Sequence, residues 1–301
     1  MKRKSLRERL AQPLLLLDGA MGTELIGRGA KPGRCNDYLN IESPDIVLDV
    51  HLAYICAGSD AVLTNTFGTN KYVLARHGYG KRVAEINTAA ALIARKAAGE
   101  EKHVLGDIGP SGDFLKPLGT IEPGELKAAF CYQAEALLAG GVDGFIIETM
   151  AALDELALAV EAVKSVCGEQ PVFASLAFDS AAGDFRTIMG VNPEEALAKI
   201  VPLGVDAIGF NCGKMSLEDY ERLAARFVSA IRSTQQDTAI LAEPNAGLPE
   251  LLEGRTLYNL SPDDFASAAE KIYSAGVRII GGCCGTGPAH IQAVAKRLKK
   301  R

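Results

Sequence analysis

Eight short apolar runs, each followed by a stretch that reads as helix or loop, constrain this chain more than any other feature. They cover residues 14–17, 61–64, 103–106, 144–147, 172–176, 207–210, 239–242 and 277–280. Each is nearly continuous in apolar character and lacks clean alternation. Strands buried on both faces read this way, and such strands belong to parallel sheets covered by helices. Between them, residues 81–98, 123–138, 153–166, 192–200, 217–231 and 262–274 have the spacing of helices. Pro193 and Pro262 sit where a first helical turn tolerates proline, and Asn192 and Ser261 are the expected N-caps before them. A partial repeat joins the two kinds of segment: AGSDAVLTN at 57–65, GGVDGFIIET at 140–149, LGVDAIGFN at 203–211 and AGVRIIGG at 275–282. In each, glycine closes a helix and the apolar run enters the sheet. Eight alternations in 301 residues predict an α/β fold, a single (β/α)8 TIM barrel, as one domain over 1–301 with its core at about 13–295. An open doubly wound sheet is the alternative, although Asp18-Gly19-Ala20-Met21-Gly22 lacks the dinucleotide spacing.

Charge and composition exclude several classes. With 32 basic and 37 acidic side chains the net charge is −5, which argues against a nucleic-acid partner held by bulk charge. No apolar run approaches the ~20 residues of a membrane span. The N-terminus resembles a signal peptide only briefly, because its apolar core, Leu14 to Leu17, meets Asp18 at once. A cytoplasmic protein without a membrane partner is expected. The basic ends, Lys2-Arg3-Lys4 and 296–301, are expected as a solvated tail and a helix end with dipole-matched cations. The irregular stretches 27–45, 108–122 and 244–261 follow strands 1, 3 and 7. They would lie over the C-terminal mouth, where barrel active sites are built.

Polar and thiol groups gather at that mouth. Strand 1 ends at Asp18-Gly19, strand 2 at Asn65-Thr66, strand 3 at Asp107 and strand 4 at Glu148-Thr149. Strand 6 ends at Asn211-Cys212, strand 7 at Glu243-Pro244-Asn245 and strand 8 at Gly282-Cys283-Cys284-Gly285. Seven cysteines, an odd number, do not suggest a secreted disulfide framework. Cys56, Cys131 and Cys167 read as small buried hydrophobes. Cys212, Cys283 and Cys284 stand apart, because strands 6 and 8 are two apart around the ring and their ends can approach one point. Three thiolates bind zinc at about 2.3 Å each and leave a fourth tetrahedral position open. The alternatives are a core Cys212 with a glycine-flanked turn, or a vicinal disulfide. On residue type alone, Asp18 is equally a turn residue, Glu148 a loop carboxylate and Asn245 a cap. His290 reads as a capping or surface residue near the last helix, and His51 and His77 as structural or surface. Tyr38 and Phe67 either line the mouth or pack in the core and loops.

The motifs LLLLDGAMGTEL, DAVLTNTFGTN, GDIGPSG, GFIIETM, GFNCG, EPNAG and GGCCGTGPAHI, in this order from about 13 to 295, resemble the homocysteine S-methyltransferase family. Within it the pattern is similar to the homocysteine modules of cobalamin-dependent methionine synthases. The resemblance implies one Zn2+ per chain held by Cys212, Cys283 and Cys284, with the thiol of L-homocysteine in the open position. It places Asp18, Gly19 and Glu148 at the amino-acid end of the substrate, with Asn65, Thr66 and Asn245 beside the site. Glu148 would pair with the ammonium, and backbone N–H groups near Gly19 would suit the carboxylate. A free thiol has a pKa near ~8.5, and zinc coordination removes its proton. Three thiolates leave the ion a weakened Lewis acid, so a fourth keeps much of its nucleophilicity toward a methyl group. The sequence stops just after the barrel, so no cobalamin or folate module is expected within it, and it reads equally as a full protein or as an excised module of a longer chain. Methylcobalamin, free or on a separate corrinoid protein, is the expected donor, with S-methylmethionine, S-adenosylmethionine or betaine as alternatives. The absence of tryptophan weakens betaine, since a quaternary-ammonium cage would rest on Tyr or Phe. Where many relatives carry a Gly- or Pro-rich turn, this chain has Gly213-Lys214-Met215-Ser216. Another thiol acceptor, or a non-catalytic binding barrel, are the remaining readings.

Overall fold

The computed structural model describes residues 4–181, 184–234, 236–252 and 255–299. The eight expected runs are the eight parallel strands: β1 (Leu15–Leu16), β2 (Ala61–Leu63), β3 (His103–Ile108), β4 (Gly144–Met150), β5 (Val172–Leu176), β6 (Ala207–Asn211), β7 (Ala239–Glu243) and β8 (Ile279–Ile280). Their order is β1-β8-β7-β6-β5-β4-β3-β2, the order of a barrel opened at one seam, not of a doubly wound sheet. The helices that follow them are α1 (Pro44–Ala57), α2 (Val83–Ala98), α3 (Pro123–Ala139), α4 (Leu153–Val166), α5 (Pro193–Ile200), α6 (Leu217–Ser233), α7 (Pro262–Ala275) and α8 (Pro288–Leu298). α8 packs on α1, so the helical ring closes. Asn192 and Ser261 cap α5 and α7 as expected, accepting from Glu195 N at 2.9 Å and Asp264 N at 3.2 Å. Among the described residues no helix is long and apolar enough to cross a membrane.

The repeat seen in the sequence has a physical use. Its aspartates, Asp60, Asp143 and Asp206, each reach back to the strand before. Their Oδ2 atoms accept from Leu16 N at 3.0 Å, Val104 N at 2.8 Å and Val172 N at 3.0 Å. Their own N–H groups donate to the carbonyls of the same three residues. Each carboxylate is paired with arginine: Arg9, Arg95 and Arg7 respectively. In the fourth copy Arg278 replaces the aspartate and faces Asp237 at 3.9 Å.

At the seam between β1 and β2 this device substitutes for a ladder. Asp60 joins the strands at the bottom, and at the top Asp18 Oδ2 accepts from Leu63 N at 3.0 Å. Ser59 Oγ donates to Leu17 O at 3.2 Å between them.

Several elements go beyond the sequence reading. The helix Leu6–Leu10 carries a capping box at Ser5 and places Leu6 in the barrel interior, so packing reaches below residue 13. It is short and rich in charge, which hides its single buried residue from a periodicity argument. The first turn of a helix Met21–Gly27 borders the mouth, a short helix Lys71–Arg76 follows β2, and hairpins Asp179–Ala181/Asp184–Arg186 and Glu250–Leu252/Arg255–Leu257 rise from the loops after β5 and β7. Cys56 is exposed, contrary to the expectation of burial, whereas Cys131 is half-buried and Cys167 buried. His51 is fully buried and held neutral by that burial, its pKa down at about 4. Of the basic ends, Lys2, Arg3, Lys300 and Arg301 lie outside the described residues. Lys299 is not merely solvated, since its Nζ bonds Asp60 Oδ1 at 2.6 Å and Gly58 O at 2.7 Å.

Asp60 gives a test of the seam. Its burial raises the pKa, but hydrogen bonds from Lys299 and Leu16 N outweigh that and hold it below the usual value. A depressed carboxylate contributes stability in full above its unfolded pKa of ~3.9 and loses it as pH falls through the folded value. Asp60→Ala should lower unfolding stability in urea by about 1–3 kcal/mol at neutral pH. The difference from wild type should shrink below about pH 4. A gap independent of pH would show that Asp60 acts by packing alone.

Candidate metal centre and amino-acid pocket

In a strand, residues two apart face the same side. The barrel interior holds Leu105, Ile146, Phe173, Ala207, Leu241 and Ile279 as one apolar cluster. Continuing toward the mouth in the same parity gives Asp107 on β3, Glu148 on β4, Ser175 on β5, Asn211 on β6, Glu243 on β7 and Gly281 after β8. The interior thus changes from apolar to polar at the C-terminal end of the strands. Above it opens a cleft of about 450 Å3 lined by Asp18, Gly19, Thr66, Phe67, Asp107, Glu148, Glu243 and the three thiols, among others.

The thiols are placed by backbone that has little freedom. Cys212 follows β6 at φ 54, in the left-handed region. Its N–H donates to Glu243 O at 3.2 Å, and its carbonyl accepts from Tyr220 OH at 2.7 Å. Gly213 (φ 85) has no alternative, because a Cβ there would lie 1.9 Å from Phe178 O. Cys283 N donates to Pro244 O and Ala246 N to Cys284 O, both at 2.9 Å. Thr286 Oγ1 donates to Cys283 O at 2.6 Å.

The three Sγ atoms lie within 4.8 Å of one another, with Cys212 and Cys284 3.9 Å apart. All three are free thiols in this structure. Sulfurs at about 2.3 Å around a tetrahedral ion stand roughly 3.8 Å apart, so the triangle fits zinc with one position left over. Among the described residues no other three His, Cys, Asp or Glu side chains converge this way. Hydrogen bonding with Cys212 and Cys283 holds the Cys284 thiol down at about 3, while the Cys283 thiol's own hydrogen bonds with Cys212 and Cys284 push it well up.

Five carboxyl groups share the cleft: Asp18, Asp37, Asp107, Glu148 and Glu243. Burial pushes Asp18, Asp107 and Glu243 well above the carboxylate range, and mutual repulsion with Glu148 adds to it. Glu148 is raised to about 8 by burial and then by the charge of Cys212. Asp107 Oδ1 and Glu243 Oε2 are buried with no hydrogen-bond partner. The sequence reading noted these two at strand ends without singling them out; their strand parity with apolar interior residues was the available signal.

The other expected residues are placed unequally. Gly19 leaves no room for a side chain, since a Cβ would lie 2.7 Å from Thr286 Oγ1. Thr66 lines the cleft, but its hydroxyl is taken by Asp107 O at 2.7 Å. Asn65 also lines it, while its Nδ2 donates to Asn36 O at 3.0 Å. Asn245 is not in the cleft wall. It stands behind the thiols, its Nδ2 donating to Gly213 O at 2.9 Å and its Oδ1 left without a partner. Phe67 lines the mouth, whereas Tyr38 stacks on Tyr79 at 4.0 Å. His290 Nδ1 accepts from Gly287 N at 3.1 Å, a capping role.

The structure is thus a (β/α)8 barrel with three converging thiols beside a buried acidic pocket at its C-terminal mouth. The family model for homocysteine S-methyltransferase matches residues 15–298, and the chain belongs to that family. It is 36% identical over 305 residues to methionine synthase of Mycobacterium tuberculosis (strain ATCC 25618 / H37Rv), covering 95% of this chain and 25% of that protein. Methionine synthase of Mycobacterium leprae (strain TN) is 35% identical over 314 residues, with 98% and 25% covered. The chain therefore spans about a quarter of the length of these relatives. In fold it matches the metallated homocysteine methyltransferase MmuM from Escherichia coli, with TM-score 0.79, 24% identity and 97% and 99% coverage. The oxidized form of MmuM gives TM-score 0.77 at 25% identity, with 98% and 100% covered.

Reduced protein equilibrated with zinc should retain about one ion per chain. Cys283→Ser should weaken that binding more than the roughly 10–100-fold that loss of an outer partner costs. Metal analysis with chelator competition measures both, and undiminished affinity in the variant would remove Cys283 from the ligand set.

Proposed function

We propose that this protein transfers a methyl group to the thiol of L-homocysteine, giving methionine, with Cys212, Cys283 and Cys284 holding one Zn2+. Family membership supports homocysteine methylation. The observation that carries the finer reading is the juxtaposition, within one cleft, of three converging thiols and buried carboxyl groups with unpartnered oxygens. Zinc held there would supply thiol deprotonation near neutral pH and an open position for sulfur.

The chain's own residues do the rest. Glu148 receives the ammonium, with Asp18 beside it, and a carboxylate left unpaired in so buried a place has a strong need for a cation. Ala20 N already donates to Thr286 O at 3.1 Å. The substrate carboxylate is therefore left to the first-turn amides of Met21–Gly27, which have no acceptor inside the helix. Thr66 and Asn65, tied to neighbouring backbone, keep the rim in shape. As the new S–CH3 bond forms, the bond from methyl to its donor breaks and its electron pair leaves with the donor. The thioether product is neutral, so three thiolates holding a zinc ion would retain it less firmly than the thiolate it came from.

Methylcobalamin, free or on a separate corrinoid protein, is the donor we favour. What supports a bulky donor is the rim. Phe67, Phe114, Leu118, Ile188, Leu248 and Leu251, on the connections that follow β2, β3, β5 and β7, are exposed apolar side chains. A second reading, a small cationic donor such as S-methylmethionine or S-adenosylmethionine, is favoured by the surplus of carboxyl groups in the cleft. We place the reaction in the cytoplasm.

Adding L-homocysteine to the zinc-loaded protein near neutral pH should release about one proton per chain, since the free thiol titrates at ~8.5. Glu148→Gln should weaken homocysteine binding more than about tenfold, of the order of a lost charge-assisted hydrogen bond. Methionine formation with each donor in turn identifies the partner. Zinc-loaded protein that binds homocysteine but turns over with none of them would favour the non-catalytic barrel. Equal use of a small thiol lacking an amino group would favour another acceptor.

A further inference from the structure

We propose that Asn211 is a positioning residue that ties the amino-acid end of the cleft to its metal end. A single carboxamide fixes Glu148 and Cys283 at once. This rests on the zinc and homocysteine reading above and deepens it.

Asn211 ends β6 and is fully buried. Its Oδ1 accepts from Thr149 N at 2.8 Å and from Ser175 Oγ at 2.7 Å. A backbone N–H can only donate, so that contact decides which end of the carboxamide is oxygen. The Nδ2 group then faces Thr149 Oγ1 at 2.7 Å, Glu148 Oε2 at 3.1 Å and Cys283 Sγ at 3.7 Å. One side chain thus joins β4, β5, β6 and the turn after β8.

The β4 end depends on it. Thr149 has φ 59, a conformation costly for a residue with a branched side chain. Pairing of β4 with β5 shifts register between Ile147 and Met150, and such irregularities re-aim side chains. Asn211 holds both the N–H and the hydroxyl of Thr149, so it stabilises the bend that aims Glu148.

The substrate gives this arrangement its purpose. The ammonium and sulfur of homocysteine are a fixed number of bonds apart. The carboxylate that takes one end and the thiolate cluster that takes the other must therefore be held at a fixed span. Asn211 is in contact with both. Its N–H toward Cys283 also withdraws charge from that sulfur, as outer hydrogen bonds do at metal ligands.

Asn211→Asp tests this in the zinc-loaded protein. It is nearly isosteric and keeps an oxygen toward Thr149 and Ser175, but replaces the donor facing Glu148 and Cys283 with an acceptor. Binding of homocysteine and of its desamino analogue, which has the same chain without the ammonium, is measured by calorimetry, and zinc affinity by chelator competition. Homocysteine affinity should fall by about 10–100-fold and zinc affinity by about tenfold, in the range for outer partners of metal ligands. The analogue should lose less than about threefold. In a Glu148→Gln background the effect on homocysteine should largely disappear.

Equal losses for the two thiols, or effects that simply add in the double variant, overturn the proposal, because a merely structural role would produce them. If Asn211→Asp does not fold, Asn211→Ser is scored by the same ratio between the thiols. Wild-type protein that binds neither thiol refutes the homocysteine reading itself. Wild type that binds homocysteine alongside an unchanged Asn211 variant refutes this inference alone.

Discussion

The mouth of this barrel answers to the apolar layer beneath it. Leu105, Ile146, Phe173, Ala207, Leu241 and Ile279 fill the interior between the strands, with Leu6 closing the lower end. Burial of each such side chain is worth roughly 1.5–3 kcal/mol, and a packed core fixes the strands against sliding. Because side chains alternate, that layer decides which residues further along face inward. Asp107, Glu148, Ser175, Asn211 and Glu243 are inside because their apolar partners two or four residues earlier are inside. A one-residue slip would turn a strand's polar end away from the cleft. The same layer keeps water from below, which is why the carboxyl groups above it sit well above their ordinary pKa range.

Much of this was legible in the sequence, for a physical reason. Parallel strands under helices are buried on both faces, so they stand out as unbroken apolar runs. That property also hides parity: in 103–108 the outward Val104 and the inward Leu105 are equally apolar. The side chain of Asp107 could therefore be placed at the mouth but not assigned a direction. The thiols were easier, because Cys283-Cys284 among glycines has few structural uses. Asn245 was the reverse case: it is near the thiols in space but turned toward the Cys212–Gly213 backbone, an orientation no spacing reveals. Asn211 looked like a loop-initiating residue, and its five hydrogen-bond contacts appear only when β4, β5 and the turn after β8 are brought to it. The helix Leu6–Leu10 shows one buried side chain in five residues, too little for periodicity to report.

The electrostatics of the cleft are one-sided. Five carboxyl groups and three thiols line it, and the buried Oδ1 of Asp107 and Oε2 of Glu243 have no partners. Left to itself such a cluster stays largely protonated, and the raised pKa values express that. In the proposed reading a dication at the thiols and an ammonium at Glu148 supply the missing positive charge, each easing ionisation of groups near the other. Gly281 belongs to the same economy of space, because a Cβ there would lie 3.0 Å from both Glu243 Oε1 and Leu17 Cβ.

The two halves of the proposed reaction stand on different kinds of structure. The thiols and the carboxyl groups sit on strand ends or on turns anchored to them, and Cys212 and Thr149, the residue after Glu148, keep left-handed backbones held by surrounding hydrogen bonds. The exposed apolar side chains of the rim stand on loops after β2, β3, β5 and β7, including both hairpins' neighbourhoods. Strand ends are set by the core and tolerate little change, whereas loops vary at small cost to the fold. In the proposed reading, an acceptor site made of strand ends and a donor site made of loops would let a barrel keep its thiol chemistry while its source of methyl groups changes. On that reading the acceptor is the part of the function that the sequence motifs carry, and the choice of donor would fall to the rim.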